Sequence, residues 1–545
     1  MTMRFLPVNL NALLVELDDL PQTLALLASL RAEPIAGIEE LVPAARTLLV
    51  TFRPAAIGAD ELVRRIGRRS LGARETRVDK RIEIAVRYDG EDLAEVAGLL
   101  GISPDEVVRR HTGSDYTVAF TGFAPGFAYL SGGDASLNVP RRQVPRTRIP
   151  AGAVGLAGSF SGVYPQASPG GWQIIGITDA PMWDLSREAP ALPALLQPGD
   201  TVRFVDVTGQ PRAVPAPAAV HVHVHVPQPV VANGGSAFEI RAAGLQALLQ
   251  DGGRHGQAKQ GVSASGAMDR RSLQTANRLV GNPSDTACLE IAYGGFQLAC
   301  RGDAVVALTG ADGPVTLTRA DGAAWPLPRY QPIALADGDV LALGEPRAGI
   351  RSYLAVRGGF DVAPVLGSLS TDTLARIGPP AVATGDVLPV RAVAAGALVG
   401  APETPPADLP TVQQEVVLDI VLGPRTDWFT PDALALLCSQ PWAVTPQSNR
   451  VGIRLAGEVP LARAADFVHA ELPSEGTACG ALQVPPSGQP VLFLADHPLT
   501  GGYPVIASVA THHLDRAGQI PVNARVRFNP IAAPGPAAPG ASGIS

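Results

Sequence analysis

Residues 244–290 read GLQALLQDGGRHGQAKQGVSASGAMDRRSLQTANRLVGNPSDTACLE, a glycine-rich loop that leads into a helix. Glycines between positions 252 and 266 allow the loop backbone to bring its N–H groups close to a ligand. The apolar spacing from Leu273 to Val280 predicts the helix, with Asp269 at its start and Gly281 at its end. Because a helix N-terminus favours negative charge, the stretch predicts an anion or oxyanion site.

Five residues of this stretch are candidate site residues. Arg254 would stabilise anionic charge, and Ser265 with the backbone N–H groups of Gly266 and Ala267 would form an oxyanion cradle. Asp269 would act as a base or hold a metal-bound nucleotide, and Asp251 is a further polar candidate. The alternative interpretation is a surface loop in which Asp269 only caps the helix.

The composition excludes several classes of protein. The chain has 545 residues and a formal net charge of −7, which argues against a nucleic-acid-binding surface. Its 58 glycines and 51 prolines indicate many turns and a mainly β protein with α+β parts. Its four cysteines include no C-x-x-C pair. No apolar run reaches the roughly 18 residues of a membrane span, and no signal peptide is evident, so we expect a cytoplasmic protein without membrane contact.

The order of short strands, helices and proline-rich segments predicts several domains. The segment PAGAVGLAGSFSG…GGWQIIGIT at 150–178 parallels SEGTACGALQVPPSG…GGYPVIASV at 474–509. The same barrel is therefore expected at least twice. The predicted parts are a small ferredoxin-like α/β domain at 1–78, a barrel at 79–209, a linker at 210–236, a barrel at 237–400 with a Pro/Ala-rich segment at 398–412, a last barrel at 413–530, and a disordered tail at 531–545.

Two sets of motifs resemble known families. D-G-G-R-x-G, G-V-x-x-S-G-A-M-D, A-N-x-L-V-G-N and L-E-I resemble the carboxyltransferase A/B-type domain, which occurs in the C subunit of 5-oxoprolinase, in allophanate hydrolase subunit 2 and in urea carboxylase. In residues 1–208, G-F-x-P-G-F-x-Y-L and P-R-R-x-x-P-R-x-x-x-P-A-G resemble the B subunit of 5-oxoprolinase, the C/D type. The resemblance implies cyclophilin-like β-barrels, preceded by the small α/β unit, in a fusion of the B and C subunits.

The resemblance also implies a reaction. It is the ATP-dependent opening of 5-oxo-L-proline to L-glutamate, with Mg²⁺ and a separate partner that resembles the A subunit of 5-oxoprolinase. One alternative is a carboxyltransferase that moves CO₂ from carboxybiotin to urea or a related amide, with the biotin carried on another chain. Another is a non-catalytic regulatory module that resembles kinase inhibitors. The chain has no Walker A lysine, so a nucleotide would need a different kind of site. A homo-oligomer is compatible with the sequence.

The last domain contributes further candidates within the family motifs. Glu475 would share the base or metal-binding role of Asp269. The amide would be oriented by Gln483, Asp496, Thr500 and Tyr503. The structural alternatives are that Asp496 braces a turn and that Tyr503 forms part of a barrel wall.

The half that resembles the B subunit supplies cationic candidates. Arg141, Arg142 and Arg146 lie in a proline-rich segment, where guanidinium groups could grip a carboxylate or a phosphate. Structural salt bridges for one or two of these arginines are the alternative. His111 is an acid/base candidate, although a lone histidine at a helix end is more often a packing residue. Because polar candidates occur in both halves, we expect the active site to lie between them.

Overall fold

The computed structural model describes residues 3–72, 80–142, 144–187, 192–210, 235–393, 396 and 398–531. The predicted linker at 210–236 and tail at 531–545 lie almost entirely outside these ranges. Within them, no helix is both long and apolar enough to cross a membrane. The fold is mainly β, as the turn-rich composition predicts.

The N-terminal unit is a four-stranded antiparallel sheet covered by two helices. The predicted β-α-β-β-α order is present, and one extra strand, Arg4–Asn9, adds to the sheet edge. The first helix begins at Asp19, whose side chain accepts the backbone N–H of Gln22. The sheet order is Arg4–Asn9, Ala12–Glu16, Thr47–Phe52, Ile38–Pro43, and the helices are Leu20–Ala32 and Ala59–Gly67.

The next unit, here called the N-terminal barrel, is a seven-stranded sheet curled around an apolar core. Two backbone hydrogen bonds between Arg87 and Ile177 join its first and last strands. Its strands, in sheet order, are Gln173–Ile177, Ala153–Ala157, Phe160–Val163, Ala128–Ser131, Asp115–Thr121, Thr201–Asp206 and Arg81–Val86. Helices Leu93–Leu100 and Pro104–Gly113 and the strand pair Arg146–Ile149 with Ser168–Gly170 complete the unit.

Residues 237–389, here called the two-sheet unit, form two sheets around one core, in the region 237–400 where the sequence predicts a barrel. Helix Arg270–Val280 packs on the second sheet, against strands Ala304–Asp312 and Ala348–Val356. The first sheet is Ala324–Pro326, Val315–Thr318, Val340–Leu343, Phe296–Arg301, Ala237–Ala243 and Val387–Pro389. The second is Gln246–Gln250, Cys288–Ala292, Ala348–Val356, Ala304–Asp312 and Pro332–Leu335.

The last unit, here called the C-terminal barrel, is closed. Its strands, in order, are Glu415–Leu422, Val505–Val509, Ala481–Gln483, Val491–Phe493, Gly452–Ala456, Trp442–Val444 and Arg525–Ile531. Helices Pro431–Ser439 and Leu514–Gly518 and the strand pair Glu475–Gly476 with Thr500–Gly501 complete it. Proline follows the capping Thr430 at the start of the first of these helices.

The two barrels share one topology, which confirms the repeat expected from the sequence. Starting from Arg81–Val86 in one barrel and Glu415–Leu422 in the other, the strands follow the same cyclic order. In each barrel, the strand that comes first in the chain pairs in parallel with the strand that comes last in the chain, and the other pairings are antiparallel. Such agreement in order and direction is the signature of an internal duplication.

The two halves of the chain are packed against each other. The side chain of Asn9 donates to the carbonyl oxygen of Val509 at 2.8 Å. The N–H of Gly126 donates to the carbonyl oxygen of Gln260 at 2.9 Å, which brings the N-terminal barrel onto the glycine-rich loop. Candidate residues from both halves can therefore meet.

Candidate functional site

A buried ion network centred on Arg450 joins the C-terminal barrel to the two-sheet unit. Arg450 is 1% exposed. Its guanidinium group donates to both oxygens of Asp496, at 2.9 and 3.0 Å, and to Glu290 at 2.5 Å. It also donates to the carbonyl oxygen of Gly266 at 2.7 Å. Arg450 thereby connects the glycine-rich loop, a sheet strand and the barrel.

Ser265 and Asp496, two of the predicted site residues, meet in this network. The Ser265 hydroxyl donates to Asp496 at 2.6 Å, and Thr373 donates its N–H and its hydroxyl to the other oxygen. Burial opposes ionisation of Asp496, but the charge and hydrogen bonds of Arg450 hold its pKa below the ordinary value. The Asp496 carboxylate is therefore a fully buried anion that is already satisfied by the protein.

Arg254 and Asp251 lie beside the network and face the protein interior. Arg254 is 2% exposed, and its guanidinium group donates to the carbonyl oxygen of Ser370. Burial lowers the pKa of Arg254. Asp251 accepts hydrogen bonds from the N–H groups of Gly253 and Leu369 and from the hydroxyl of Ser370. These two residues fasten the glycine-rich loop to the 368–372 segment.

One N–H of the predicted oxyanion cradle is already bound by an acceptor of the chain itself. The N–H of Ala267 donates to the carbonyl oxygen of Asp251 at 3.0 Å. At the helix N-terminus, Asp515 of the C-terminal barrel accepts the N–H of Arg270 at 2.9 Å. The prediction of an open anion site here is therefore wrong, because a carboxylate from another domain already satisfies the helix end.

Asp269 caps this helix, as the sequence indicates. Its carboxylate accepts the N–H and the hydroxyl of Ser272, at 2.9 and 2.6 Å, and the amide of Gln519 at 2.8 Å. Burial raises the pKa of Asp269 to about 6. The side chain links the two-sheet unit to the C-terminal barrel.

Glu475 belongs to a different cluster. Both of its oxygens accept hydrogen bonds from Arg425, which also donates to Glu16 of the N-terminal unit at 2.8 Å. Burial raises the pKa of Glu475 despite this partner. Glu475 and Asp269 are each bound by protein donors in separate clusters, so the two carboxylates do not meet in one site for a metal-bound nucleotide.

Arg142 and Arg146 are held in a buried ion cluster. Arg146 makes two hydrogen bonds of 2.7 Å to Asp92, and Arg142 makes one of 2.6 Å to the same carboxylate. Asp92 is 2% exposed. The prediction that these two arginines bind substrate is not supported by their geometry, because Asp92 already occupies their guanidinium groups.

His111 lies in the core of the N-terminal barrel. Its ring nitrogens meet the hydroxyls of Tyr88 and Ser161 at 2.7 and 2.9 Å, and its ring stacks on Phe204. Burial lowers the pKa of His111 to about 3. These contacts agree with the packing role and leave His111 out of reach of a substrate.

A cavity of about 450 Å³ opens where the N-terminal unit and both barrels meet. Its aromatic wall consists of Tyr129, Phe160 and Trp172 of the N-terminal barrel. Arg141 and Ser474 add polar groups from the two halves. The remaining lining residues are Asp18, Asp19, Leu20, Ala45, Arg46, Asn138, Ala157, Gly158, Ser159, Glu471, Leu472 and Pro473.

A chain of hydroxyl groups leads from this cavity to the predicted residue Thr500. Arg141 donates to the Ser474 hydroxyl at 3.1 Å. The Tyr129 hydroxyl lies 3.4 Å from both Ser474 and Thr500. The segment that follows Thr500 also touches Arg141, since a Cβ on Gly502 would lie 2.3 Å from its guanidinium group. This polar chain crosses the boundary between the two halves.

Gln483 and Tyr503 border the same segment. The Gln483 amide donates to the carbonyl oxygen of Tyr503 at 3.2 Å. A Cβ on Gly501 would lie 2.5 Å from that amide nitrogen. The Gln483 side chain thus braces the backbone that follows Thr500.

The predicted site residues therefore separate into groups. Asp251, Arg254, Ser265, Gly266, Asp269 and Asp496 share one buried region, whereas Gln483, Thr500 and Tyr503 lie near the cavity. Sequence reasoning did not single out Arg450, Glu290 and Asp92 as site residues, although Glu290 lies in the L-E-I motif, because the partners of these charged residues are distant in sequence. The proline-rich arginine segment was a signal for Arg141, but it did not separate this arginine from its neighbours.

Comparison with known proteins agrees with the division into two halves. Residues 3–193 match the model of the carboxyltransferase domain, subdomains C and D, and residues 260–530 match subdomains A and B. The chain is 36% identical over 297 residues to the C subunit of 5-oxoprolinase from Escherichia coli (strain K12), covering 53% of this chain and 90% of that protein. The chain belongs to the carboxyltransferase domain family.

Other members of this family match one half or the whole chain. The B subunit of 5-oxoprolinase from Escherichia coli O157:H7 is 50% identical over 127 residues, covering 23% of this chain and 57% of that protein. Urea amidolyase of Lachancea kluyveri is 32% identical over 314 residues, covering 54% of this chain and 17% of that protein. The crystal structure of TTHA0988 matches 97% of this chain and 100% of its own, with 34% identity and a TM-score of 0.79. These matches fit a fusion of the B and C subunits, as the motifs indicate.

Proposed function

We propose that this chain performs the combined role of the B and C subunits in a 5-oxoprolinase, a hydrolase that opens the lactam of 5-oxo-L-proline to give L-glutamate. The observation that carries the proposal is the cavity to which both halves contribute, Tyr129 and Arg141 from one and Ser474 from the other. In the Escherichia coli relatives, the matches to the two halves fall on two different subunits of 5-oxoprolinase. Their fusion keeps both walls of one cavity in a single chain.

The cavity has suitable properties for a small cyclic amide. Its volume of about 450 Å³ lies within the range of small-molecule sites. The aromatic side chains provide an apolar wall for a ring, and the hydroxyls of Tyr129 and Ser474 are hydrogen-bonding groups for an amide. These residues would bind and orient the lactam for attack by water on its carbonyl carbon, after which the C–N bond breaks.

ATP and Mg²⁺ are part of the proposed reaction because the resemblance to 5-oxoprolinase implies them. Because Asp269 and Glu475 are already bound by protein donors, we propose that the nucleotide is handled with a partner that resembles the A subunit of 5-oxoprolinase. The chain and its partner would then act as one enzyme in the cytoplasm.

The test is release of inorganic phosphate from ATP by the purified chain mixed with this A-type partner. We expect release only when 5-oxo-L-proline is present, together with formation of glutamate. Release that ignores the lactam, or none with the correct partner, would refute the proposal.

The same assay addresses the carboxyltransferase alternative. That reaction needs carboxybiotin on another chain, so avidin would abolish it. We expect no effect of avidin on lactam-dependent phosphate release.

A further inference from the structure

Three arginines of one short segment have different environments. Arg142 and Arg146 are both paired with Asp92, and Glu95 and Glu91 are further partners of the two arginines. Arg141 forms no ion pair in the described part of the chain, and its hydrogen bond to a side chain goes to the neutral hydroxyl of Ser474. Arg141 therefore keeps an uncompensated positive charge next to the cavity.

The guanidinium group of Arg141 retains free donor capacity. It carries five N–H donors, of which the contact with Ser474 uses one. Two parallel N–H groups of a guanidinium match the two oxygens of a carboxylate. A carboxylate at this position would also lie within the half-buried environment of Arg141, where charge-assisted hydrogen bonds are stronger than in open water.

The rest of the cavity limits what else the ligand can carry. Tyr129 and Trp172 are 4% and 6% exposed and form a rigid apolar surface. The lining also carries the carboxylates of Asp18, Asp19 and Glu471 and a second guanidinium group, that of Arg46. The aromatic wall thus suits a small ring, and the donors of Arg141 suit a carboxylate on that ring.

We propose that Arg141 is the specificity-determining residue of this cavity and that it binds the carboxylate of a small cyclic amide acid. The inference rests on the proposed function and assigns the group that distinguishes an acidic lactam from a neutral one. The Ser474 hydroxyl accepts a hydrogen bond from the guanidinium group and so positions it, and the same hydroxyl contacts the hydroxyl of Tyr129.

The experiment compares 5-oxo-L-proline with 2-pyrrolidinone, the same ring without the carboxylate. Turnover by the complete enzyme and binding to the full chain by calorimetry are measured for both ligands. We expect the wild type to prefer the acid by about 10- to 100-fold, the effect of a charge-assisted hydrogen bond. Arg141→Gln should lose this preference through a raised KM for the acid, with little change for 2-pyrrolidinone.

Arg148→Gln is the matched control. Arg148 is exposed on strand Arg146–Ile149 and does not line the cavity, so its loss changes the net charge equally. The control should keep the wild-type preference. Arg141→Lys, which retains the charge but not the paired donors, should keep only part of it. Retention of the full preference in Arg141→Gln would overturn the proposal.

A ligand series keeps the test valid if the Arg141 variants do not fold. The methyl ester of 5-oxo-L-proline removes the negative charge and leaves the ring unchanged. Weaker binding of the ester than of the acid by the wild type supports the proposal, and equal binding overturns it. Failure of lactam-dependent phosphate release would instead refute the proposed function, because the calorimetric preference is measured on the chain without ATP.

Discussion

In the N-terminal barrel, the buried carboxylate Asp92 binds arginines of its own unit. In the C-terminal barrel, the buried arginine Arg450 binds Asp496 of its own unit but also Glu290 and Gly266 of the two-sheet unit. The two barrels have the same strand order, yet one keeps its ion cluster internal and the other uses it to hold a neighbouring domain. A shared topology therefore does not decide which partners a buried ion binds, because those partners come from the residues that pack beside it.

The largest effect should follow from breaking the C-terminal network. Arg450→Met would leave the carboxylate of Asp496 buried without its cation and Glu290 with only the longer ion pair to Arg351, at 3.5 Å. We expect a loss of about 3–5 kcal/mol in the free energy of unfolding, measured by denaturant titration. Arg454→Met, at an exposed position of the same barrel, should change it by less than about 0.5 kcal/mol. A small loss of unfolding free energy in Arg450→Met would mean that the network does not hold the C-terminal barrel to the two-sheet unit.

A smaller loss should follow in the N-terminal barrel. Asp92→Asn removes the negative charge that Arg142 and Arg146 share, but these arginines keep contacts with Glu95 and Glu91. We expect a cost of about 1.5–3 kcal/mol by the same titration. The exposed Asp89→Asn is the control, and equal costs for the two variants would contradict an internal ion cluster.

The dependence of stability on pH should differ in sign between the two regions. Burial raises the pKa of Asp269 to about 6, so the stability that this carboxyl contributes is present below its ordinary value of 3.8 and lost as pH rises through about 6. Asp269→Asn keeps a capping side chain and does not titrate. From about pH 4 to about pH 7 the variant should gain about 1–2 kcal/mol relative to the wild type.

Asp92 provides the opposite case. Burial opposes its ionisation, but the hydrogen bonds and charges of Arg146 and Arg142 lower its pKa below the ordinary value. Its contribution is therefore present above that value and lost as pH falls. Asp92→Asn should lose stability relative to the wild type at neutral pH and approach it in acid. If the stability of both variants relative to the wild type changed with pH in the same direction, the opposite pKa shifts of Asp92 and Asp269 would be contradicted.

The smallest effect is expected where the C-terminal barrel meets the N-terminal unit. Glu16→Gln keeps a hydrogen-bond acceptor for Arg425 and leaves Glu475 as its counter-charge. Thermal unfolding should show a loss of about 1 kcal/mol. Glu39→Gln, which breaks an exposed pair with Arg53, should cost less than about 0.5 kcal/mol. A larger loss for Glu39→Gln than for Glu16→Gln would contradict a stabilising contact between the C-terminal barrel and the N-terminal unit.

Local patterns were sufficient for the elements and for the repeat. The alternation of short apolar runs with glycine and proline predicts a β protein, and Asp269 and Gly281 mark the ends of one helix as observed. The duplicated segments predict two barrels of one topology. These features depend on residues close in sequence or on comparison of the sequence with itself, so no knowledge of distant contacts was needed.

The partner of each polar residue was decided by the tertiary structure alone. The sequence presents Arg141, Arg142 and Arg146 as equivalent cations, and only the folded chain pairs two of them with Asp92 and leaves one at a cavity. Likewise the helix N-terminus at Asp269 has the features of an anion site, but Asp515, which is distant in sequence, accepts a backbone N–H there. The interaction of a charged side chain with another group depends on the distance between them. The packing of the domains sets that distance, and no local motif determines it.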